Sequence, residues 1–65
     1  MKPGDIVRSK FLLGLYSDEN LKIFQRGIPK DSIGTVLSPP KRNFVKLLIG
    51  GDIGWVNWTL WDVQQ

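Results

Sequence analysis

Two adjacent carboxylates, Asp18 and Glu19 in "SDEN", are the residues of this 65-residue chain whose pairing could do acid–base chemistry. Paired carboxylates can divide general acid and general base roles when a reacting group lies beside them. The chain has no His and no Cys, so the commonest proton shuttle and the strongest side-chain nucleophile are missing. We therefore interpret Asp18 and Glu19 as a solvated turn, and predict that the chain is not an enzyme and uses no metal or cofactor.

The stretch "GWVNWTLW" places Trp55, Trp58 and Trp61 at a spacing of three. Neighbouring residues of a strand point to opposite faces, so Trp55 faces outward if Val56 points into the core. Trp61 follows a short connection and is predicted to close the core. Trp55 and Trp58 are candidates for a partly exposed binding surface, because large exposed aromatic residues tend to mark interfaces. The alternative for these two residues is packing against the long first loop.

The basic residues outnumber the acidic ones by nine to six, which gives a net charge of +3. Arg8 and Lys10 fall on the outward face of the first predicted strand. Lys41 and Arg42 lie in the loop "PPKRN", which its two prolines stiffen. Bases beside exposed tryptophans can steer and anchor a protein partner, or bind single-stranded nucleic acid by charge and stacking. The alternative is that these are ordinary solvated strand faces.

Alternation with a period of two dominates the chain and predicts five strands. They are "DIVRSKF" (5–11), "SIGTVLS" (32–38), "FVKLLI" (44–49), "WVNW" (55–58) and "WDVQ" (61–64). In the first strand Val7, Ser9 and Phe11 are expected to share one face. The third strand alternates in the same way, with Lys46 outward and its apolar neighbours inward.

Residues 12–30 are less regular, and we interpret them as a long, irregular, hairpin-like first loop. The alternative is a short helix that begins at Ser17 and that Gly27 and Pro29 end. Without Cys or His, neither a disulfide nor a zinc site can support a single domain of residues 1–65, so large side chains must supply its core.

The first ten residues lack the apolar run of a secretory signal, and the longest strongly apolar run, 47–49, is too short to span a bilayer. The chain is therefore expected to be soluble, cytoplasmic and free of membrane contacts. Five short strands with glycine-rich turns predict a small closed barrel, because closure protects strand edges that an open sheet would expose.

Three stretches of this sequence resemble SH3-like small β-barrels. "KPGDIVRSK" is similar to their first strand, "DSIGTVLS" to their second, and "GGDIGWVNWTLWDV" to their ending, with a one-turn connection before the last strand. KOW-type modules, a small SH3-like subunit of photosystem I and short phage-encoded SH3-like proteins have the same layout. The resemblance covers most of the chain outside residues 12–28 and implies an all-β, five-stranded barrel. "NWTL" stands where peptide-binding SH3 domains have Pro-Ser-Asn-Tyr, so polyproline recognition does not transfer.

These observations predict a small non-enzymatic binding module, an accessory or interaction protein of the kind that phages encode, with a protein as its partner. The predicted partner-binding residues are Trp55, Trp58, Lys41, Arg42, Arg8 and Lys10. One alternative is a KOW-like nucleic-acid-binding domain that uses the same bases. Another is an oligomeric enzyme with an active site shared at a symmetry axis, because the sequence leaves the oligomeric state open.

Overall fold

Short antiparallel strands make up most of the regular structure in the computed structural model, which describes residues 1–64. The strands are β1 Ile6–Ser9, β2 Leu13–Tyr16, β3 Phe24–Ile28, β4 Ile33–Val36, β5 Phe44–Ile49, β6 Asp52–Asn57 and β7 Trp61–Gln64. One 3-10 turn, Trp58–Leu60, joins β6 to β7. The prediction of an all-β chain is confirmed, and so is the one-turn connection before the last strand.

The seven strands form one antiparallel sheet in the order β3-β2-β6-β5-β4-β1-β7. No ladder joins β3 to β7 within residues 1–64, so the sheet is open. The prediction of a five-stranded closed barrel is therefore wrong in strand count and in closure. The reason lies in the predicted first loop, whose two apolar pieces pair with each other as β2 and β3 and dock on β6 through Tyr16 and Trp55. A helix at Ser17 is not present in this described segment.

One apolar core unites residues from all seven strands. Its members are Val7, Leu15, Ile28, Val36, Val45, Leu47, Ile49, Val56 and Trp61, each at most 5% exposed. A flat sheet of seven strands would be about 29 Å wide and one layer thick, with both faces in water. The chain instead measures 30 × 23 × 21 Å. The sheet must therefore curl until one of its faces encloses the core.

The alternation read from the sequence holds in the central strands and fails at the end of β1. Buried residues alternate with more exposed ones along β5, where Lys46 points outward as predicted. Val56 is buried and Trp61 is only 4% exposed, both as predicted. Phe11, expected on the inner face with Val7, is 55% exposed because β1 ends at Ser9.

Ser9 is a buried polar side chain that holds the two ends of the sheet near each other. Its hydroxyl donates to the carbonyl of Pro29 at 2.9 Å and accepts from the backbone N–H of Ser32 at 2.9 Å. Pro29 follows β3 at one end of the strand order, whereas Ser9 belongs to β1 near the other end. Both hydrogen bonds satisfy a hydroxyl that would otherwise be costly to bury.

Arg26 of β3 ties the same end of the sheet to the β5–β6 hairpin. Its Nε donates to Asp52 Oδ2 at 2.7 Å, and its Nη2 donates to the carbonyl of Ile49 at 3.1 Å. Between these two acceptors the hairpin turns on Gly50 and Gly51, whose φ values of +55° and +86° suit a tight two-residue turn. The guanidinium thus bridges strands that are not neighbours in the sheet.

Gly54 marks the closest approach of β6 to β2. A Cβ atom at this position would lie 2.6 Å from Leu15 Cγ and 2.8 Å from the carbonyl oxygen of Tyr16. The first of these neighbours is a fully buried side chain and the second is backbone, so neither can move away cheaply. Only glycine fits where the hairpin docks on the sheet.

Within residues 1–64, no helix is long and apolar enough to cross a membrane.

Replacing Gly54 by Ala should lower the free energy of unfolding by at least about 2 kcal/mol, because the added methyl group overpacks the core. Gly27→Ala is the matched control, since a Cβ there has no neighbour within 4 Å, and it should stay within about 1 kcal/mol of the wild type. Urea unfolding followed by tryptophan fluorescence measures both. Equal effects of the two substitutions would contradict the close docking of β2 on β6.

Replacing Arg26 by Gln should lower the free energy of unfolding by about 1 kcal/mol, because a charged bridge with two acceptors is lost from a partly exposed position. Lys10→Gln removes the surface ion pair between Lys10 and Asp62, at 3.4 Å, and should cost less than about 0.5 kcal/mol. Urea unfolding at low and moderate salt compares the two variants. If Arg26→Gln costs no more than Lys10→Gln, the bridge does not hold the hairpin.

Candidate partner-binding cleft

The tip of the β2–β3 hairpin is organised by Asp18. Its Oδ1 accepts hydrogen bonds from the backbone N–H groups of Lys22 and Ile23, each at 2.8 Å. The N–H of Ile23 above all, with that of Lys22, holds the pKa of the Asp18 carboxyl below its ordinary value. Leu21, inside this turn, has a positive φ of 56°. The acidic pair in "SDEN" therefore includes one residue that shapes the turn, which leaves Glu19 to face the opposite loop.

The opposite loop is a tight turn anchored by Trp58. The backbone N–H of Lys41 donates to the carbonyl of Phe44 at 2.8 Å, and the N–H of Phe44 donates back to Lys41 at 3.0 Å. Arg42 takes a positive φ of 58° between them. The indole Nε1 of Trp58 donates to the carbonyl of Arg42 at 2.8 Å, and its backbone N–H donates to Asn43 at 3.0 Å. Trp58 thereby fixes the backbone of the loop from which the Lys41 and Arg42 side chains project.

A first hollow of about 240 Å³ lies between the hairpin tip and this loop. Its walls are Glu19, Asn20, Lys41, Arg42 and Phe44. The ammonium of Lys41 is 3.5 Å from Glu19 Oε1, so an ion pair crosses this hollow. Both side chains are largely exposed, so the pair is weak and can open to another charged group.

A second, more apolar hollow of about 220 Å³ adjoins the first. It is lined by Leu13, Gly14, Tyr16, Leu21, Asn57 and Leu60. The hollows are neighbours because Asn20 of the first precedes Leu21 of the second, and Phe44 of the first is the register partner of Asn57. We call the two adjacent hollows together the cleft; the first is its charged end and the second its apolar end.

Trp55 lies in a row of outward side chains beside the cleft. It is the register partner of both Tyr16 on β2 and Lys46 on β5. The Lys46 ammonium is 5.6 Å from the centre of the Trp55 ring, within the range of a cation–π contact. Tyr16 in turn meets Phe24 edge to face at 5.7 Å. Trp55 is partly exposed, as predicted. Its pairing with Tyr16 also places it against the predicted first loop, which was the alternative for this residue.

The six predicted partner-binding residues fall into two groups. Trp58, Lys41 and Arg42 meet at the charged end of the cleft, and Trp55 lies on the same half of the sheet. The other two residues, Arg8 and Lys10, lie on or next to β1, away from the cleft.

Arg8 and Lys10 do not join the cleft, because β4 separates β1 from β5. Arg8 is the register partner of Ile33, which lies toward the Gly50 end of β5, whereas Lys41 precedes the opposite end of that strand. Arg8 is instead 3.9 Å from Asp31, and Lys10 is 3.4 Å from Asp62. The four predicted partner-binding bases therefore lie in two separate places, Arg8 and Lys10 on one side and Lys41 and Arg42 at the cleft.

Sequence reasoning missed Tyr16, Phe44, Asn57 and Leu60 as walls of the cleft and assigned Glu19 to a solvated turn. One feature of the sequence, the hairpin signal in residues 12–28, could have indicated that this segment forms a wall of the cleft. A polar turn between two apolar pieces is typical of a hairpin, and a hairpin tip must lie beside other loops that end at the same edge of the sheet.

No family model, curated protein or solved structure matches this chain.

The lowered pKa of Asp18 predicts an acid-sensitive hairpin. Because its folded pKa lies below the ordinary value, the carboxylate stabilises the fold above that value, and the contribution is lost as pH falls through the folded pKa. As pH falls below about 5 and through the folded pKa of Asp18, Asp18→Asn should therefore lose less stability than the wild type. Urea unfolding at several pH values measures the difference. Parallel losses in both proteins would show that the Asp18 charge does not stabilise the turn.

Proposed function

We propose that this chain is a non-enzymatic binding module of the SH3-like type that holds an extended segment of a protein partner in its cleft. The observation that carries the proposal is the cleft itself, in which a charged end with two cations adjoins an apolar end. Such a combination of apolar contact and a few fixed polar groups suits a peptide with alternating side chains. The rigid frame of strands and the anchoring of the loop by Trp58 reduce the entropy lost on binding.

The strand arrangement supports the SH3-like assignment. The strands β1, β4, β6 and β7 coincide with the stretches on which the resemblance rests, and the 3-10 turn stands at the expected one-turn connection. The hairpin β2–β3 occupies the position of the long first loop. In this proposal the hairpin is the variable element, and it forms one wall of the cleft.

The charges of the cleft favour a partner segment that carries an acidic residue next to apolar ones. Lys41 and Arg42 outweigh Glu19 at the charged end, while leucine and tyrosine side chains dominate the apolar end. A polyanion is a poorer fit, because Glu19 faces the cations and the Lys46 ammonium already covers a face of Trp55. Nucleic-acid binding of the KOW type is the competing hypothesis.

The test is selection of peptides from a random displayed library, followed by titration into the ¹⁵N-labelled chain. Selected peptides should share an acidic residue beside apolar ones and shift the amide signals of residues 16–21, 41–44 and 57–60. Arg42→Glu should weaken binding by about tenfold, because a charge pair at a partly exposed position is worth about 1 kcal/mol or slightly more.

Lys10→Glu is the matched control, since it makes the same charge reversal away from the cleft and should leave the affinity unchanged. A fluorescent single-stranded oligonucleotide, titrated at several salt concentrations, tests the competing hypothesis. Steeply salt-dependent binding that both reversals weaken equally would favour nucleic acid and reject the proposed function.

A further inference from the structure

The outer face of the sheet carries a row of uncharged residues across five strands. Register pairs Ile53 with Leu48, Leu48 with Thr35, Thr35 with Ile6, and Ile6 with Gln64. These five outward positions therefore stand side by side on β6, β5, β4, β1 and β7. An antiparallel sheet with one face on its core normally presents polar side chains on the other face. This row departs from that pattern.

Two more aliphatic residues widen the row. Ile33 and Leu37 lie two residues before and after Thr35, so they flank the row on the same face. We call Ile6, Ile33, Leu37, Leu48 and Ile53 the outer aliphatic patch; their side chains are between 38% and 55% exposed. The patch is separate from the cleft, because Leu48 and Ile53 stand four residues along β5 and β6 from Phe44 and Asn57.

We propose that the outer aliphatic patch binds a second copy of this chain in a weak, reversible, two-fold symmetric dimer. Two outer faces would meet as the two layers of a β-sandwich do, with aliphatic side chains on both sides. A two-fold interface uses the same surface twice, so it requires a patch that complements itself. Uncharged aliphatic side chains around Thr35 meet that requirement, because they leave no buried charge in a contact with their own copies.

The bordering cations allow a second copy to approach, and the nearby carboxylates of Asp31 and Asp62 are paired with Arg8 and Lys10. Arg8 borders the patch beside Ile6, and Lys46 borders it beside Leu48, at the diagonally opposite corner. A two-fold axis in the plane of the sheet, along or across the strands, maps a corner onto an adjacent corner and never onto the diagonal one. The two cations are therefore not placed against each other. The positions that they would meet are close to Gly4 and Gly50, and the Arg26 guanidinium beside Gly50 is already paired with Asp52.

The size of the patch sets the expected strength of the dimer contact. Its five side chains expose on the order of 400 Å², which is within the range of the largest apolar patch on a monomer and about half of the roughly 800 Å² per partner in a stable complex. Dimer formation should therefore appear only at high concentration, with a dissociation constant between about 10 µM and about 1 mM.

Sedimentation velocity of the full chain from about 10 µM to about 2 mM tests the proposal across that range of dissociation constants. The average mass should rise from that of one chain toward that of two. Ile53→Lys should raise the dissociation constant at least tenfold, because it buries an unpaired charge in the interface. Leu12→Lys is the matched control, since it adds the same charge at a side chain that is 75% exposed and outside the patch, and it should have little effect.

Circular dichroism of each variant verifies its folding, and Ile33→Lys replaces Ile53→Lys if that variant unfolds. A single-chain mass over the whole range would overturn the proposal. So would a dimer that Ile53→Lys and Leu12→Lys weaken equally, because the contact would then depend on net charge or on another surface.

Discussion

A single layer of seven short strands must enclose its own apolar face, and this constraint governs the molecule. In a larger protein a helix layer or a second sheet would cover that face, but the described chain has only one 3-10 turn besides its strands. Curling brings together residues that are distant in the strand order. Ser9 meets Pro29, Arg26 reaches Asp52, and β2 approaches so closely that only Gly54 fits opposite Leu15.

Because the inner face is filled by the core, both proposed interactions use the outside of the sheet. At one end, the docked hairpin and the Trp58-anchored loop leave a cleft between them. On the outer face, aliphatic residues occupy positions that solubility alone would make polar. One small sheet can thus present two separate surfaces, because its strands support the loops at their ends and the side chains along their length.

Local pattern was enough to predict the five strands outside residues 12–28, the inward side of Val56 and the core position of Trp61. The first loop was harder, because β2 pairs with β3 and also docks on β6 through Tyr16 and Trp55, which are 39 residues apart, and alternation does not reveal that second contact. For the same reason, local pattern did not show that Arg8 and Lys10 lie apart from Lys41 and Arg42. Which strands are neighbours, and in which register, depends on long-range pairing that no single stretch encodes.

The most direct test of the curled sheet is a nuclear Overhauser experiment on the methyl-labelled chain. Ile28 lies on β3, whose only neighbouring strand within the described residues is β2. A curled sheet predicts cross-peaks from the Ile28 methyl groups to core methyl groups on β1, such as those of Val7. Cross-peaks from Ile28 that reach only β2 would show a flat sheet and contradict the account.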